Sequence, residues 1–86
     1  MKIKGGLTLR KIGTLYIVVD ESFKGLDWIV KLSSAEAFLW SEISGEIDKK
    51  KLVKSMVKRY DINEKVASTD VENFLNTLKE AKVVIG

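Results

Sequence analysis

Hydrophobic and polar residues alternate with a period of two along the first third of the chain. Leu7 and Leu9 alternate with polar residues, with Lys11 as a possible continuation through its aliphatic stem. Apolar side chains recur at every second position again through residues 15–19, and Gly13 separates the two runs. A period of two with β-branched and aromatic residues predicts strands, and the intervening glycine predicts a hairpin. A polar loop over residues 20–27 then leads into a third predicted strand, Trp28–Leu32.

At Leu32 the period of the apolar positions changes from two to 3.6, which predicts a helix. Ser33 and Glu36 have the S-x-x-E spacing of a capping box, in which each side chain accepts a hydrogen bond from the other residue's backbone N–H. We expect this helix to end at Gly45, because glycine readily adopts the left-handed conformation that follows a helix. Its apolar face consists of Ala35, Phe38, Leu39 and Ile43.

A second helix is predicted to begin after Asp48, because an aspartate side chain is a favourable N-cap. Ile47 and Leu52 have the spacing of a hydrophobic staple, which fixes the direction in which the chain enters a helix. The apolar stripe of this helix comprises Leu52, Val53, Met56, Val57 and Tyr60.

A third helix is predicted over about residues 64–81, with Asn63 as its N-cap. A later start, at a capping box formed by Thr69 with Glu72, is an open alternative. The apolar face of the helix consists of Val71, Phe74, Leu75 and Leu78, and residues 83–85 form a short apolar tail that could pack back on the domain.

The predicted order of elements is therefore β-β-β-α-α-α within 86 residues, a length typical of one domain. Three strands cannot bury an apolar face alone, so the helices must cover one face of the sheet. We predict an α+β, winged-helix-like fold in which a three-stranded antiparallel sheet is followed by three α-helices, and a single domain over residues 1–86.

Composition restricts the chemistry that this chain can perform. It contains neither Cys nor His, which excludes thiolate nucleophiles and the Ser–His and Cys–His catalytic pairs within the chain. It also lacks the short metal-binding and glycine-rich phosphate-binding motifs, so we expect neither enzymatic activity nor a cofactor. No apolar run approaches the ~20 residues that span a membrane, and the start MKIKGG does not form a signal peptide. We therefore expect a cytoplasmic protein.

Four segments, taken in order, resemble the PqqD-like family. Residues 1–19, MKIKGGLTLRKIGTLYIVV, are similar to the first hairpin of that family. Residues 32–40, LSSAEAFLW, fall where family members read roughly L-N-x-T-G-A-x-x-W. Residues 59–62, RYDI, contain the pattern Y-D-(V/I), and residues 70–78, DVENFLNTL, contain D-V-x-x-F-L-x-x-L.

The resemblance implies a non-catalytic peptide-recognition domain. Such a domain binds the leader of a ribosomally made precursor peptide and presents it to a modifying enzyme, often of the radical SAM type, as in the synthesis of pyrroloquinoline quinone (PQQ). The chain departs from the family pattern at Ser33, Glu36 and Lys82, where the family usually or often has Asn, Gly and Gly. Whether the product is PQQ or another modified peptide stays open.

The resemblance also implies that the leader lies between the third strand and the third helix. A strand at the edge of a three-stranded sheet can accept an extended peptide as a further strand. The expected peptide-binding residues are Trp28, Ile29, Val30 and Lys31 on the strand, and Val71, Phe74, Leu75 and Leu78 on the helix. The alternative is that these four helical residues are core residues only, since they recur at helical spacing.

The second predicted helix is strongly basic, with six positive residues and no acid between Lys49 and Arg59. Its lysines form either a solvated face or a docking surface for an acidic partner, such as the modifying enzyme or an acidic leader. The expected docking residues are Lys50, Lys51, Lys54 and Lys58.

Two further functions stay open. The first is a winged-helix DNA-binding regulator, in which the third helix would enter the major groove. That helix has only two lysines against four acids over residues 64–80, so phosphates would repel it. The second is homodimerisation through the exposed strand edge.

Overall fold

The computed structural model of the chain describes residues 1–21 and 28–86, with Trp28 described by its backbone alone. The predicted α+β architecture is confirmed, because a three-stranded antiparallel sheet is followed by three helices. The elements are, in chain order, β1 (Lys2–Ile3), β2 (Leu7–Ile12), β3 (Leu15–Asp20), β4 (Trp28–Leu32), α1 (Ser34–Ser41), α2 (Lys49–Tyr60), α3 (Glu64–Glu80) and β5 (Val84–Ile85). No helix in this described part of the chain has the length and apolarity that a membrane crossing requires.

The main sheet has the order β2-β3-β4, and both neighbouring pairs are antiparallel. Val18 in β3 lies at its centre, opposite Leu9 on one side and Val30 on the other. The register shifts beside Val18, because Val19 opposes Trp28 and Ile29 is left as an extra residue. Such a β-bulge bends the strand and increases its twist. The regular ladder of β4 therefore begins at Val30.

The three helices cover one face of this sheet. Val18 and Leu32 from the sheet pack in one buried cluster with Leu39 of α1, Met56 of α2 and Phe74 of α3. Phe74 is among the largest fully buried side chains, and truncating a phenylalanine at such a site to alanine costs about 3–5 kcal/mol of stability. This cluster fixes the position of the helices on the sheet.

All three predicted N-caps are confirmed. The Ser33 hydroxyl accepts a hydrogen bond from the backbone N–H of Glu36 at 3.2 Å, and the Glu36 carboxylate accepts one from the N–H of Ser33 at 3.0 Å. Asp48 caps α2, and Asn63 caps α3. Each of these side chains satisfies an N–H that has no partner inside its helix.

One predicted helix boundary is wrong, whereas the predicted start of α3 at Glu64 is confirmed and its alternative is excluded. Helix α1 ends at Ser41 with Glu42 as its C-cap, and not at Gly45, because the N–H of Ile43 donates to the carbonyl of Trp40 in a tightened last turn. The later start of α3 at Thr69 is the excluded alternative. The Thr69 hydroxyl donates to the carbonyl of Lys65 inside the helix.

A second, two-stranded sheet formed by β1 and β5 was not expected from the sequence. Lys2 lies opposite Ile85, and the N–H of Lys4 donates to the carbonyl of Val83 at 2.7 Å. On the other side, the N–H of Ile47 donates to the carbonyl of Met1 at 2.7 Å. The apolar tail thus packs back on the domain by strand pairing, and β1 holds it to the segment between α1 and α2.

Helix α3 ends in a Schellman motif, the turn in which two N–H groups beyond a helix bond back to its last carbonyls. The N–H of Lys82 donates to the carbonyl of Lys79 at 3.1 Å, and the N–H of Val83 to that of Leu78 at 3.2 Å. Lys82 therefore adopts φ +59°, a left-handed conformation that favours glycine.

Candidate functional site

The outer edge of β4 is the first component of the candidate site. β4 pairs with β3 along one side, and no residue within the described ranges pairs with its other side. An edge strand presents a row of backbone N–H and C=O groups to solvent. This edge can therefore accept an extended backbone from another chain.

The side chains of β4 differ in their exposure along the strand. Leu32 is buried, whereas Ile29 and Val30 are half-buried and contact the core cluster. Lys31 is exposed. The predicted contribution of the Trp28 side chain lies outside the described residues. The described part of the edge is thus mainly apolar, with one positive charge.

A cleft of about 250 Å³ lies between α1 and α3, and Ser33, the residue that directly follows β4, lines it. This cleft forms the second component of the site. Its apolar lining comes from Ala35, Leu39, Met56 and Phe74, and its polar lining from Ser33, Glu36, Asp70 and Asn73. The cleft can hold an apolar side chain with polar groups around it. It therefore provides a pocket next to the C-terminal end of β4, at Ser33.

The structure places the four predicted α3 residues in the core. Val71, Phe74 and Leu78 have 0% of their surface exposed and Leu75 has 8%. Of these, only Phe74 also lines the cleft. A contact of Val71 or Leu78 with a bound peptide would need the core to open, whereas Leu75 exposes a small part of its surface. Whether any of the three touches a peptide stays a prediction.

The part of α3 that lines the cleft was missed by sequence reasoning. Asp70 and Asn73 lie on the flank of the buried stripe, and both are exposed. With Val66 and Thr77 they follow the spacing i, i+4, i+7 and i+11, which places all four on one side of a helix. This spacing next to the apolar face was the signal that could have identified the flank.

The carboxyl groups of Glu21 and Glu46 have shifted pKa values, and neither residue lines the cleft. A hydrogen bond from the Arg10 guanidinium, at 2.7 Å, lowers the pKa of Glu21. The N-terminal amine of Met1 donates to Glu46 and lowers the pKa of that carboxyl as well. In the described part of the chain, no buried side-chain nitrogen or oxygen lacks a hydrogen-bond partner. The cleft is therefore suited to binding by shape and backbone pairing.

The predicted docking lysines all lie on the exposed surface of α2. Lys50, Lys54 and Lys58 line cavities between α2 and α3, and Lys50 also lines, with Lys51, another cavity that extends to the loop before α2. The neighbouring Lys49 forms an ion pair with Glu72 of α3 at 3.5 Å. The four lysines thus face two surfaces, and Lys50 contributes to both.

The chain is similar to a known protein family and to a solved structure. A family model described as "Coenzyme PQQ synthesis protein D (PqqD)" matches residues 19–84, which confirms the resemblance read from the sequence. No curated protein matches the chain. Among solved structures, "TbiB1 in Complex with the TbiA(beta) Leader Peptide" matches with a TM-score of 0.77 and 16% identity, covering 100% of this chain and 96% of that chain. At this identity the match shows a shared fold.

Proposed function

Since this chain belongs to the PqqD family, we propose that it is a non-catalytic module that binds the leader of a ribosomally made, post-translationally modified precursor peptide. The observation that carries the proposal is the outer edge of β4, which no described residue pairs with, together with the cleft that begins at Ser33 just after the strand. The solved TbiB1 structure, which has the same fold, contains a leader peptide. The leader of this chain's precursor would add to β4 as a fourth strand of the sheet.

Strand addition divides recognition between backbone and side chains. Each backbone hydrogen bond to β4 would contribute about 0.5–1.5 kcal/mol, largely independent of the peptide sequence. An apolar side chain of leucine size buried in the cleft would add about 1.5–3 kcal/mol and would select the sequence. The guest residue beside Ser33 and Asn73 is therefore the one that we expect to determine specificity.

A modifying enzyme is the second partner of the proposed module. We propose an enzyme of the radical SAM type, in a pathway that yields PQQ or a related peptide product, acting in the cytoplasm where the precursor is made. The module would raise the local concentration of the precursor at the enzyme and perform no chemistry itself. The free edge of β4 also permits self-pairing, which light scattering at two protein concentrations would detect as a homodimer.

Amide hydrogen exchange tests the proposed binding mode directly. The probes are synthetic peptides that tile the short open reading frames neighbouring the gene. A bound guest should slow exchange of the outward-facing amides of β4 and leave those of β2 unchanged, because new hydrogen bonds form only at β4. Saturating binding without protection at β4 would contradict strand addition at this edge.

A further inference from the structure

A groove runs between α2 and α3 and is independent of the cleft beside β4. Two adjoining cavities of about 240 Å³ each share Val53, Lys54 and Glu64 in their lining. We name this surface the lysine groove and define it by the residues that line the two cavities: Lys49, Lys50, Val53, Lys54, Val57, Lys58, Glu64 and Ser68. On α3 its residues lie on the flank opposite Asp70 and Asn73, by helical spacing. Both surfaces can therefore be occupied at the same time.

The lysine groove has an apolar floor and one basic wall. Val53 is buried and Val57 is half-buried at the floor. Lys50, Lys54 and Lys58 follow at i, i+4 and i+8 along α2, a row about 12 Å long. The groove thus combines apolar burial with charges at regular helical intervals.

The lysines of this row share the groove with Glu64 but form no ion pair with it. Among the described residues, no carboxylate forms an ion pair with Lys50, Lys54 or Lys58. Like charges four residues apart on a helix each cost about 0.2–0.5 kcal/mol. Carboxylates of a partner bound in the groove would replace this repulsion between lysines with attraction. A lysine row that faces only solvent would keep the repulsion.

The opposite wall of the groove has the opposite charge. Glu64 of α3 lines both cavities. Glu72 lies eight residues further along α3 and forms an ion pair with Lys49. Phosphates would meet acids on this side, so the groove disfavours a nucleic-acid backbone. A partner that fits must be acidic on one edge only.

We propose that the lysine groove is a docking surface for an amphipathic helix of a partner protein, with carboxylates along one edge of its apolar stripe and neutral or basic residues along the other. A third helix packs into the groove between two helices through its apolar stripe. Carboxylates at i, i+4 and i+8 would meet the lysine row, and the opposite edge would face Glu64. The charge asymmetry fixes the direction of the docked helix, and leader binding at β4 does not depend on it.

The test uses a synthetic helical probe of about 20 residues, long enough to fold in water. It has a leucine stripe with Glu along one edge and Lys along the other, and amide chemical shifts of the labelled protein are followed during titration. We expect saturable shifts over residues 50–58 and 64–68, and none in β4. A probe with its two charged edges exchanged has the same composition and should bind about tenfold more weakly, because it places like charges together.

Charge reversal on the protein provides the matched control. The triple variant K50E/K54E/K58E should bind the probe at least about tenfold more weakly. The variant K4E/K11E/K82E makes the same change in net charge outside the groove, and we expect it to alter affinity by less than about twofold. Circular dichroism confirms that both variants are folded.

Three results would overturn the docking proposal. They are equal binding of the edge-exchanged probe, equal binding of a proline-interrupted acidic peptide or of duplex DNA, and full affinity in K50E/K54E/K58E. Leader binding is measured separately in that triple variant. Retained leader affinity supports two independent surfaces, whereas its loss would assign the groove to the leader and end the docking proposal without affecting strand addition.

Discussion

The two rims of the main sheet, β2 and β4, are both unpaired on their outer sides within the described residues, yet they differ in chemistry. β2 has two adjacent exposed cations. Arg10 binds Glu21 at 2.7 Å, and the Lys11 ammonium lies 5.5 Å from the centre of the Tyr16 ring. The described residues of β4 include one exposed cation, Lys31, beside half-buried Ile29.

This difference indicates which rim is available to a guest strand. Charged side chains on an edge strand discourage pairing with another chain. The β2 rim is protected in this way, whereas the β4 rim is mainly apolar and adjoins the cleft. The comparison therefore supports β4 as the binding edge, and each of the following experiments examines it.

Proline substitutions at the two rims should have the largest effect. Val30 and Lys31 of β4 face the same β3 residues as Leu9 and Arg10 of β2. Neighbouring residues in an antiparallel pair direct their N–H groups to opposite sides, so one of Val30→Pro and Lys31→Pro removes only an outward N–H. We expect that variant to weaken leader binding about a hundredfold, measured by calorimetry, because proline removes a donor and blocks the approach of the guest.

The equivalent proline on β2 is the control for this experiment. One of Leu9 and Arg10 directs its backbone N–H away from β3. Proline at that position should keep leader affinity within about twofold of the unsubstituted protein, because β3 separates β2 from the guest. Thermal melting identifies the inward-facing variants, which break the ladder and lose stability. Equal loss of affinity at both rims would remove the distinction between β2 and β4.

Filling the cleft should have the second-largest effect. Asn73→Trp places a large ring in the cleft, whereas Asn76→Trp makes the same change on the solvent side of α3. We expect Asn73→Trp to weaken leader binding by about 10- to 100-fold, the value of one displaced apolar side chain. Fluorescence anisotropy with a labelled leader measures both variants. Equal affinities would show that the guest does not use the cleft.

Substitution at Lys82 should change stability without changing either rim. Lys82→Gly relieves the left-handed conformation at φ +59° and should raise the free energy of unfolding by about 1 kcal/mol. Lys79→Gly makes the same change inside α3 and should lower it by about 1 kcal/mol. Urea denaturation measures both. Leader affinity should be the same in both variants. If leader affinity instead changed in proportion to the free energy of unfolding, the binding edge of β4 would not be formed before the leader binds.

The pH dependence of the β2 rim should produce the smallest effect. The hydrogen bond from Arg10 lowers the pKa of Glu21, so the ionised carboxylate favours the folded state. Its contribution is complete above the unfolded pKa and is lost as the pH falls through the folded value. Arg10→Gln should raise the Glu21 pKa towards its ordinary value in a carbon-13 titration. If the Glu21 pKa were unchanged in Arg10→Gln, a group other than Arg10 would cause its shift. If leader affinity fell in this variant, the β2 rim would influence binding at β4.

The sequence predicted those elements whose signals are local. Three strands, three helices and the caps Ser33, Asp48 and Asn63 follow from period and capping chemistry over a few residues. The pairing of β1 with β5 joins two-residue strands from opposite ends of the chain. Two residues are too few to show a period, so no sequence pattern could predict that sheet.

The candidate site was predictable only in part, for a similar reason. The β4 edge follows from the order of the strands, but the cleft depends on how α1 and α3 pack. Helical spacing identifies the buried face around Phe74 and the two flanks beside it, but it does not show whether the flank with Asp70 or the flank with Ser68 lines the cleft. The contribution of Trp28 and a docking role for Lys51 stay predictions.

The bulge at Ile29 limits how long a guest would remain bound. Only Val30–Leu32 continues the regular ladder, a length of about 10 Å. Few backbone hydrogen bonds to a guest strand fit within this length. Each loss of 1.4 kcal/mol in binding free energy shortens the residence time about tenfold if the association rate constant is unchanged. A short ladder therefore favours rapid exchange, so that one copy of the protein could deliver many precursors in succession.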